Sequence, residues 1–351
     1  MGANQLTIPR GTKRSIVKAL LSVVLTLAVT SAVFLVNNVN PVVAFIYMFQ
    51  GAFGDINLLS ETLIRMTPIL IVSLGLAVSF KCKIWNIGAE GQLYMGAMLG
   101  TIVAIGIGGG PLSLLAALVV GAAGGLLWAA GPALMKVKLG INEVITTFLM
   151  NFVGIYLVQW MISYPFRSPD TYFPESAAIP SSSALGVILP GTRLHLGVAL
   201  ALALVPVVYF LLERTTFGYK VKVVGENPEA ARYGGMEIGK MIFVSLIFSG
   251  LLAGLAGITE VMGIQFRVRG SLSPGYGYTG IVVALLGNNN PLGVALASLF
   301  LAAIMNGSST LAWTMNIPMG IVDLMQGLLF IFVLASEPLV RFLERRGVLK
   351  L

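Results

Sequence analysis

Long apolar stretches, separated by short polar ones, run along almost the whole chain. A helix needs about 20 mostly apolar residues to cross the hydrocarbon core of a bilayer. By that length the pattern predicts about ten spans, near Ser15–Val36, Leu58–Phe80, Glu90–Ile107, Pro111–Met135, Glu143–Ser163, Leu194–Leu212, Lys240–Gly263, Gly275–Asn288, Pro291–Ala312 and Ile317–Ser336. The eighth covers roughly two-thirds of a crossing, so it has to be short, tilted or enclosed by protein, because lipid cannot satisfy bare backbone groups. The first stretch follows Arg10, Lys13, Arg14 and Lys18, as a secretory signal would. It runs on into Asn37-Asn38-Val39-Asn40-Pro41 without a small-residue cleavage site, and is therefore counted as a helix. The predicted fold is an all-α polytopic membrane protein. One transmembrane domain covers residues 15–337, with an arm over residues 1–14 and a tail over residues 338–351.

Composition agrees: 57% of the 351 residues are hydrophobic, 10% are charged, and the mean hydropathy is +0.91. A net charge of +8 could point to nucleic acid, so the placement of the charges decides. With the N-terminus inside, only Arg65, Arg167, Arg193, Arg267 and Arg269 of the 22 basic residues fall outside. That asymmetry follows the positive-inside rule. It implies cytoplasmic N- and C-termini, an even number of crossings and no nucleic-acid partner. A single cysteine, Cys82, and a single histidine, His195, give no intrachain disulfide and no conventional metal site. The chain has no G-x-x-x-x-G-K-[ST] loop, so it does not hydrolyse ATP by a P-loop. It also lacks G-x-S-x-G and H-E-x-x-H, which argues against a membrane hydrolase.

Two longer polar segments remain. Residues 164–193, rich in Pro and Ser, are placed outside, as a docking surface for an extracytoplasmic partner or as a passive connector. Residues 213–239 are placed inside and carry a full set of helix signals. Asn227 can cap, Pro228 suits the first helical position, Glu229 complements the dipole, and Gly234-Gly235 ends the helix. Two turns of helix do not hold themselves in water, so the membrane domain or a cytoplasmic partner has to support them.

Polar residues inside the apolar runs mark the remaining candidates. Asn86, Glu90 and Gln92 head the third predicted span, where polar side chains have to face a cavity or other protein groups. Glu143, Thr147 and Asn151 recur every four residues on the fifth, so they line one face that avoids lipid; interhelical hydrogen bonding explains them better than direct solute contact does. A Gly-rich polar entry follows the second span inside. A similar one, Ser271-Leu272-Ser273-Pro274-Gly275-Tyr276-Gly277-Tyr278, follows the seventh outside, which suggests an inverted repeat of spans 2–5 and 7–10. Small-residue pairs at Gly96/Gly100, Gly121/Gly125 and Gly250/Gly254 suit close helix packing, and Asp323 could relay protons or bond within the bundle.

Three stretches together resemble a known family: Asn86 to Gln92; Asn142-Glu143-Val144-Ile145 with Asn151; and Phe217-Gly218 through Gly225-Glu226-Asn227-Pro228-Glu229-Ala230-Ala231-Arg232-Tyr233-Gly234-Gly235. They are similar to the branched-chain amino acid and simple-sugar type permeases of ABC importers, and within these to the nucleoside subgroup. The resemblance implies a cytoplasmic coupling helix over Asn227 to Tyr233 that docks an ABC ATPase through Gly225, Glu226, Asn227, Pro228, Glu229, Arg232 and Tyr233. It also implies a heterodimer with a second related permease and an extracytoplasmic solute-binding protein or lipoprotein. ATP and Mg belong to the ATPase and no cofactor to this chain. The pathway between the two permeases would draw on Asn86, Glu90, Gln92, Asn151 and Asn288. Simple sugars are the alternative solutes. The rival class is an ion-coupled secondary transporter using Glu90, Glu143 or Asp323.

Overall fold

The computed structural model describes residues 10–346; residues 1–9 of the expected arm and 347–351 of the expected tail lie outside them. Its helices, in chain order, are α1 (Arg10–Val36), α2 (Pro41–Phe53), α3 (Ile56–Lys81), α4 (Ala89–Ile107), α5 (Pro111–Leu139), α6 (Glu143–Ser163), α7 (Leu196–Arg214), α8 (Thr216–Glu226), α9 (Pro228–Tyr233), α10 (Ile238–Glu260), α11 (Tyr276–Leu286), α12 (Pro291–Met315) and α13 (Met319–Arg345). Among the described residues the only β pairing is three isolated bridges. Seven helices are long and apolar enough to cross a membrane, and up to nine if each bent pair is one span. At 11 residues, α11 is too short for a full crossing, as its sequence predicts.

Two compact units share the chain. The first, Met1–Leu58 with Ala303–Leu351, holds α1, α2, α13 and the later part of α12. Asn40 accepts from the backbone N–H groups of Val42 and Val43 and so caps α2, which bends 115° away from α1. Hydropathy alone did not predict α2, because 13 residues make no span. Phe34, Ala44, Met48, Leu311, Ile317 and Met325 form the apolar core of this unit. Asn306 donates to the carbonyls of Gly51 (3.1 Å) and Leu58 (3.0 Å), satisfying acceptors around the α2–α3 turn.

The second unit, Leu59–Ala302, carries the candidate site. From Met66 to Phe80 α3 is buried on every side, with Thr67, Ser73 and Ser79 the hydroxyl side chains in an otherwise apolar run. Its Gly75 lies against Ser249 and Leu252 of α10, while Val72 and Leu76 meet Gly280 of α11. Helices α4, α5 and α10 pack with their backbones in contact. A Cβ on Gly96 would stand 2.6 Å from the Gly121 carbonyl oxygen, and one on Gly125 would stand 2.6 Å from Gly254 Cα. The small-residue pairs read from the sequence therefore sit at one three-helix contact. Helix α6 buries Thr147, Asn151, Gly154, Val158 and Ile162, and turns Phe148, Phe152, Tyr156 and Trp160 outward.

Ion pairs fix the direction of two helices. Glu61 near the start of α3 pairs with Arg193 just before α7, and Lys81 at the end of α3 pairs with Glu213 at the end of α7, so these two run parallel. The loop after α6 is laid back onto the end of α10. Backbone bonds join Ser176 N–H to the Val268 carbonyl (3.0 Å), Ile179 to Phe266 (2.9 Å) and Leu185 to Met262 (2.9 Å). The single histidine is a helix cap: His195 Nδ1 accepts from Gly197 N–H at 3.1 Å at the start of α7.

Glu175 pins this loop, accepting from Arg269 at 2.8 Å and Arg267 at 3.0 Å. The hydrogen bond from Arg269, with the charges of both guanidinium groups, outweighs the cost of burial and holds the Glu175 carboxyl below the usual carboxylate range. A depressed carboxylate stabilises above its unfolded value and loses that contribution as pH falls through its folded value. Hydrogen exchange of residues 168–185, corrected for intrinsic rates, should therefore stay slow at neutral pH and accelerate only on acidification to below the ordinary carboxylate range. Glu175→Gln should bring fast exchange at neutral pH; continued protection there would show that the pair does not hold the loop.

Candidate functional site

Two features of the second unit stand out: a polar junction where two helix N-termini meet inside the bundle, and a pair of short helices at one end of it. The junction begins with the segment Cys82–Gly88, which turns in from the end of α3. Lys83 takes a positive φ of 59°, a conformation that reverses the chain, and α4 then starts at a buried Ala89. The first N–H groups of a helix lack partners inside it. Gly88 brings no capping side chain, so α6 supplies one: Asn151 Oδ1 accepts from Gly91 N–H at 2.8 Å. Asn151 Nδ2 in turn donates to the Ile87 carbonyl at 2.7 Å and to the Tyr278 hydroxyl at 3.3 Å. One helical turn earlier, Thr147 Oγ1 accepts from Ile87 N–H at 3.1 Å. The polar face of α6 thus serves the entry to α4.

Asn86 and Gln92 bond each other twice, at 2.9 and 3.1 Å, and Asn86 also donates to Ser249 of α10 at 3.0 Å. From the opposite end, α10 finishes in a π turn over Val261–Gln265, and the chain re-enters through residues 266–275 to begin α11. Ser273 Oγ accepts from the N–H groups of Gly275 and Tyr276, and Glu90 Oε2 accepts from Gly277 N–H at 2.6 Å. Tyr94, one turn further along α4, donates to the Gly270 carbonyl at 3.0 Å. Glu90 thus reaches from the first turn of α4 to satisfy a backbone N–H in the first turn of α11.

Asn86, Glu90, Gln92 and Asn151 are therefore brought together, each at most 3% exposed. In this conformation their polar atoms are engaged with one another and with neighbouring helices. Asn288 is not among them. It is exposed beyond the far end of α11, at a positive φ of 53° that asparagine tolerates, where the helix stops. Glu143 is also buried and pairs with Lys136 at 2.7 Å, whereas Asp323 is exposed. Gly277 and Tyr278, from the polar entry after the seventh span, complete the junction together with Ser249 and Tyr94, which the sequence did not single out; all four contacts join residues more than 100 positions apart, so no local pattern announces the pairings.

At the end of the bundle the predicted short helix is present as α9, capped by Asn227 Oδ1 accepting from Ala230 N–H at 3.0 Å, with Pro228 at its first position. Hydropathy did not predict its neighbour α8, which Thr215 caps by accepting from Gly218 N–H. The two helices rest on an apolar cluster of Val221, Val224, Ala231, Met241, Leu246, Ala129, Ala133, Cys82 and Ile84. Ala231 is the buried residue of α9. Around it Glu226, Asn227, Pro228, Glu229, Arg232 and Tyr233 are exposed; Tyr233 is 93% exposed, and Glu229 pairs with Arg232 at 3.7 Å. Gly225 faces inward instead, against Lys81.

A bundle of long apolar helices with two interrupted entries meeting at its centre, and a supported pair of helices with polar groups outward at one end, defines a multi-pass membrane transport subunit. The chain belongs to the family described as branched-chain amino acid transport system / permease component, which matches residues 58–334. It is 35% identical to the glucose ABC transporter permease of Haloferax volcanii, over 93% of this chain and 90% of that protein. It is 32% identical to a guanosine ABC transporter permease of Bacillus subtilis (93% and 96%) and 27% identical to a nucleoside ABC transporter permease of Lactococcus lactis subsp. cremoris (91% of each). No solved structure matches.

Proposed function

We propose that this chain is one of two related permeases in an ATP-driven importer that carries nucleosides into the cell. The observation that carries the proposal is α9: six residues with a buried anchor, a complete cap and an exposed crown of Glu229, Arg232 and Tyr233. The apolar cluster beneath α9 already supplies the support that a helix this short needs, which leaves its outer face available to a partner. Lys81, Lys83, Lys136, Lys138, Lys220, Lys222 and Lys240 all flank the spans on the side expected to be cytoplasmic, which supports a cytoplasmic position for α8 and α9 under the positive-inside rule. An ABC ATPase holding ATP and Mg would dock there through Glu226, Asn227, Pro228, Glu229, Arg232 and Tyr233, with Gly225 setting the platform. The opposite end, with Tyr172 and Phe173 exposed, would receive a solute-binding protein or lipoprotein.

The pathway would lie between this chain and its partner permease, with the Asn86–Glu90–Gln92–Asn151 junction, closed and buried in this conformation, opening onto it in the other arrangement. Asn288 lies along the same route, nearer the cytoplasm. ATP binding favours one arrangement of the two permeases and solute the other, which gives alternating access. The nucleoside assignment is supported by the guanosine and nucleoside permeases that align with nearly the whole chain. Bacillus subtilis has a second guanosine permease that is 28% identical over 68% of this chain, which supports a paired assembly. The glucose permease at 35% identity supports a sugar as the second reading.

Proteoliposomes holding this chain with its partner permease, ATPase and binding protein decide the matter. Labelled guanosine should accumulate with ATP, stop on ATP depletion and persist with an uncoupler. Accumulation of labelled glucose in place of guanosine would replace the solute. Uptake that survives ATP depletion and dies with the uncoupler would replace the mechanism.

A further inference from the structure

A short piece of chain joins the surface of α8 and α9 to the buried junction. Its first residue, Lys81, is held twice. Its ammonium pairs with Glu213 at 3.0 Å, and Glu213 also takes Lys222 of α8, so one carboxylate ties the ends of α3 and α7 to α8. The three side chains are 18–31% exposed, partly shielded from water, where such a network holds geometry better than isolated surface pairs do. The Lys81 carbonyl lies so close to Gly225 of α8 that no Cβ fits between them.

The next residues continue the link. Cys82 and Ile84 pack in the same apolar cluster as Ala231, the buried anchor of α9. Two residues on, Asn86 is bonded to Gln92 and Ser249; Ile87 meets Thr147 and Asn151; and Glu90 reaches Gly277 of α11. Ten residues therefore lead from the foot of α9 to the meeting point of α4 and α11, and every turn of the path is bonded or packed. A displacement of α9 cannot be absorbed in a loose loop before it reaches α4.

Because α9 is taken to dock an ATPase, as proposed above, we propose that the segment Lys81–Glu90, clamped to α8 by the Lys81–Glu213–Lys222 network and by the Gly225 contact, is the element that transmits motion of α9 to the α4–α11 junction. Lys81, Glu213 and Lys222 are positioning residues: they touch no solute and no nucleotide, and act by making α8, α9 and the entry to α4 move as one body. Coupling of this kind has to be demonstrated by its effect on both ends.

The test uses the complete transporter in proteoliposomes and reads solute moved per ATP hydrolysed. Glu213→Gln keeps the shape and removes the charge; Lys222→Met keeps the length of the α8 side chain and removes its charge. Both should leave the ATPase bound and hydrolysing while the transport ratio falls about two- to thirtyfold, the range expected when a coupling contact is cut. Parallel loss of transport and hydrolysis, or an unchanged ratio, would overturn the assignment. A second measurement avoids dependence on variants of the clamp: spin labels at Lys83→Cys and Tyr233→Cys, in a Cys82→Ser background, should keep one separation with and without nucleotide. A separation that changes with nucleotide would show that α9 moves independently of the segment. If no ATPase accompanies the wild-type chain, the importer assignment itself fails; if it does and the ratio is untouched, only the transmission role fails.

Discussion

Gly254→Leu is expected to leave no folded protein recoverable from the membrane. The reason is what surrounds the glycine. A Cβ there would lie 2.7 Å from the Gly125 nitrogen and 2.8 Å from Gly125 Cα, and would overlap the Gly121 carbonyl oxygen. All are backbone atoms of α5, which cannot rotate out of the way as a side chain would. Even modest overpacking costs about 1–3 kcal/mol, and a leucine has to separate α10 from α5 along their length. Gly254→Ala should fold with a lowered melting temperature in detergent. Gly131→Ala is the control: it also lies in α5, but nothing stands within 4 Å of its missing side chain. There alanine should be neutral or raise stability by about 0.4–1 kcal/mol through the unfolded chain. Equal melting temperatures for the two alanine variants would mean that α5 and α10 do not meet as described.

Glu229→Ala with Arg232→Ala is expected to abolish both uptake and retention of the ATPase, while expression and membrane insertion stay normal. The two side chains are about 70% exposed and pair at 3.7 Å, so their loss costs the fold well under about 1 kcal/mol. Ala231, which anchors α9, is untouched. At an interface the same residues weigh far more. Truncating a central arginine or its partner typically removes about 2 kcal/mol or more, which is roughly a thirtyfold loss of affinity per position. Co-purification of the ATPase measures this directly. A double variant that transports normally would remove α9 from the mechanism.

Much of the bundle was readable because lipid imposes a single period and a single length. The runs that became α3 to α7, α10 and α12 are apolar enough to announce themselves, and the shortness of α11 followed from the same arithmetic. The α9 helix was readable because its signals are local: Asn227, Pro228 and Gly234 lie within eight residues. The spacing of Glu143, Thr147 and Asn151 correctly marked a buried face of α6, since an i, i+4 repeat needs no knowledge of the partner.

The rest depended on contacts that no local pattern encodes. Helix α2 is too short for hydropathy to find and exists because Asn40 caps it and the surrounding helices cover it. Helix α8 mixes Gly218 and Gly225 with lysines; its apolar side, Val221 and Val224, becomes visible only once Cys82 and Ile84 are seen beneath it. Asn86 and Asn151 each read as a polar residue awaiting a cavity. The bonds between their segments, 60 to 64 residues apart in sequence, turn them into parts of one junction. Asn288 carried the same signal of an amide inside an apolar run, yet it stands apart from the junction, exposed where α11 stops.

The most direct test of the importer mechanism is a cysteine at the tip of α9. In intact cells, Tyr233→Cys in a Cys82→Ser background should resist a membrane-impermeant thiol reagent applied from outside and react once the cytoplasmic face is opened. In the purified assembly it should cross-link to the ATPase subunit. Labelling from outside, or a fully assembled transporter in which this position contacts no ATPase, would contradict the mechanism at its root.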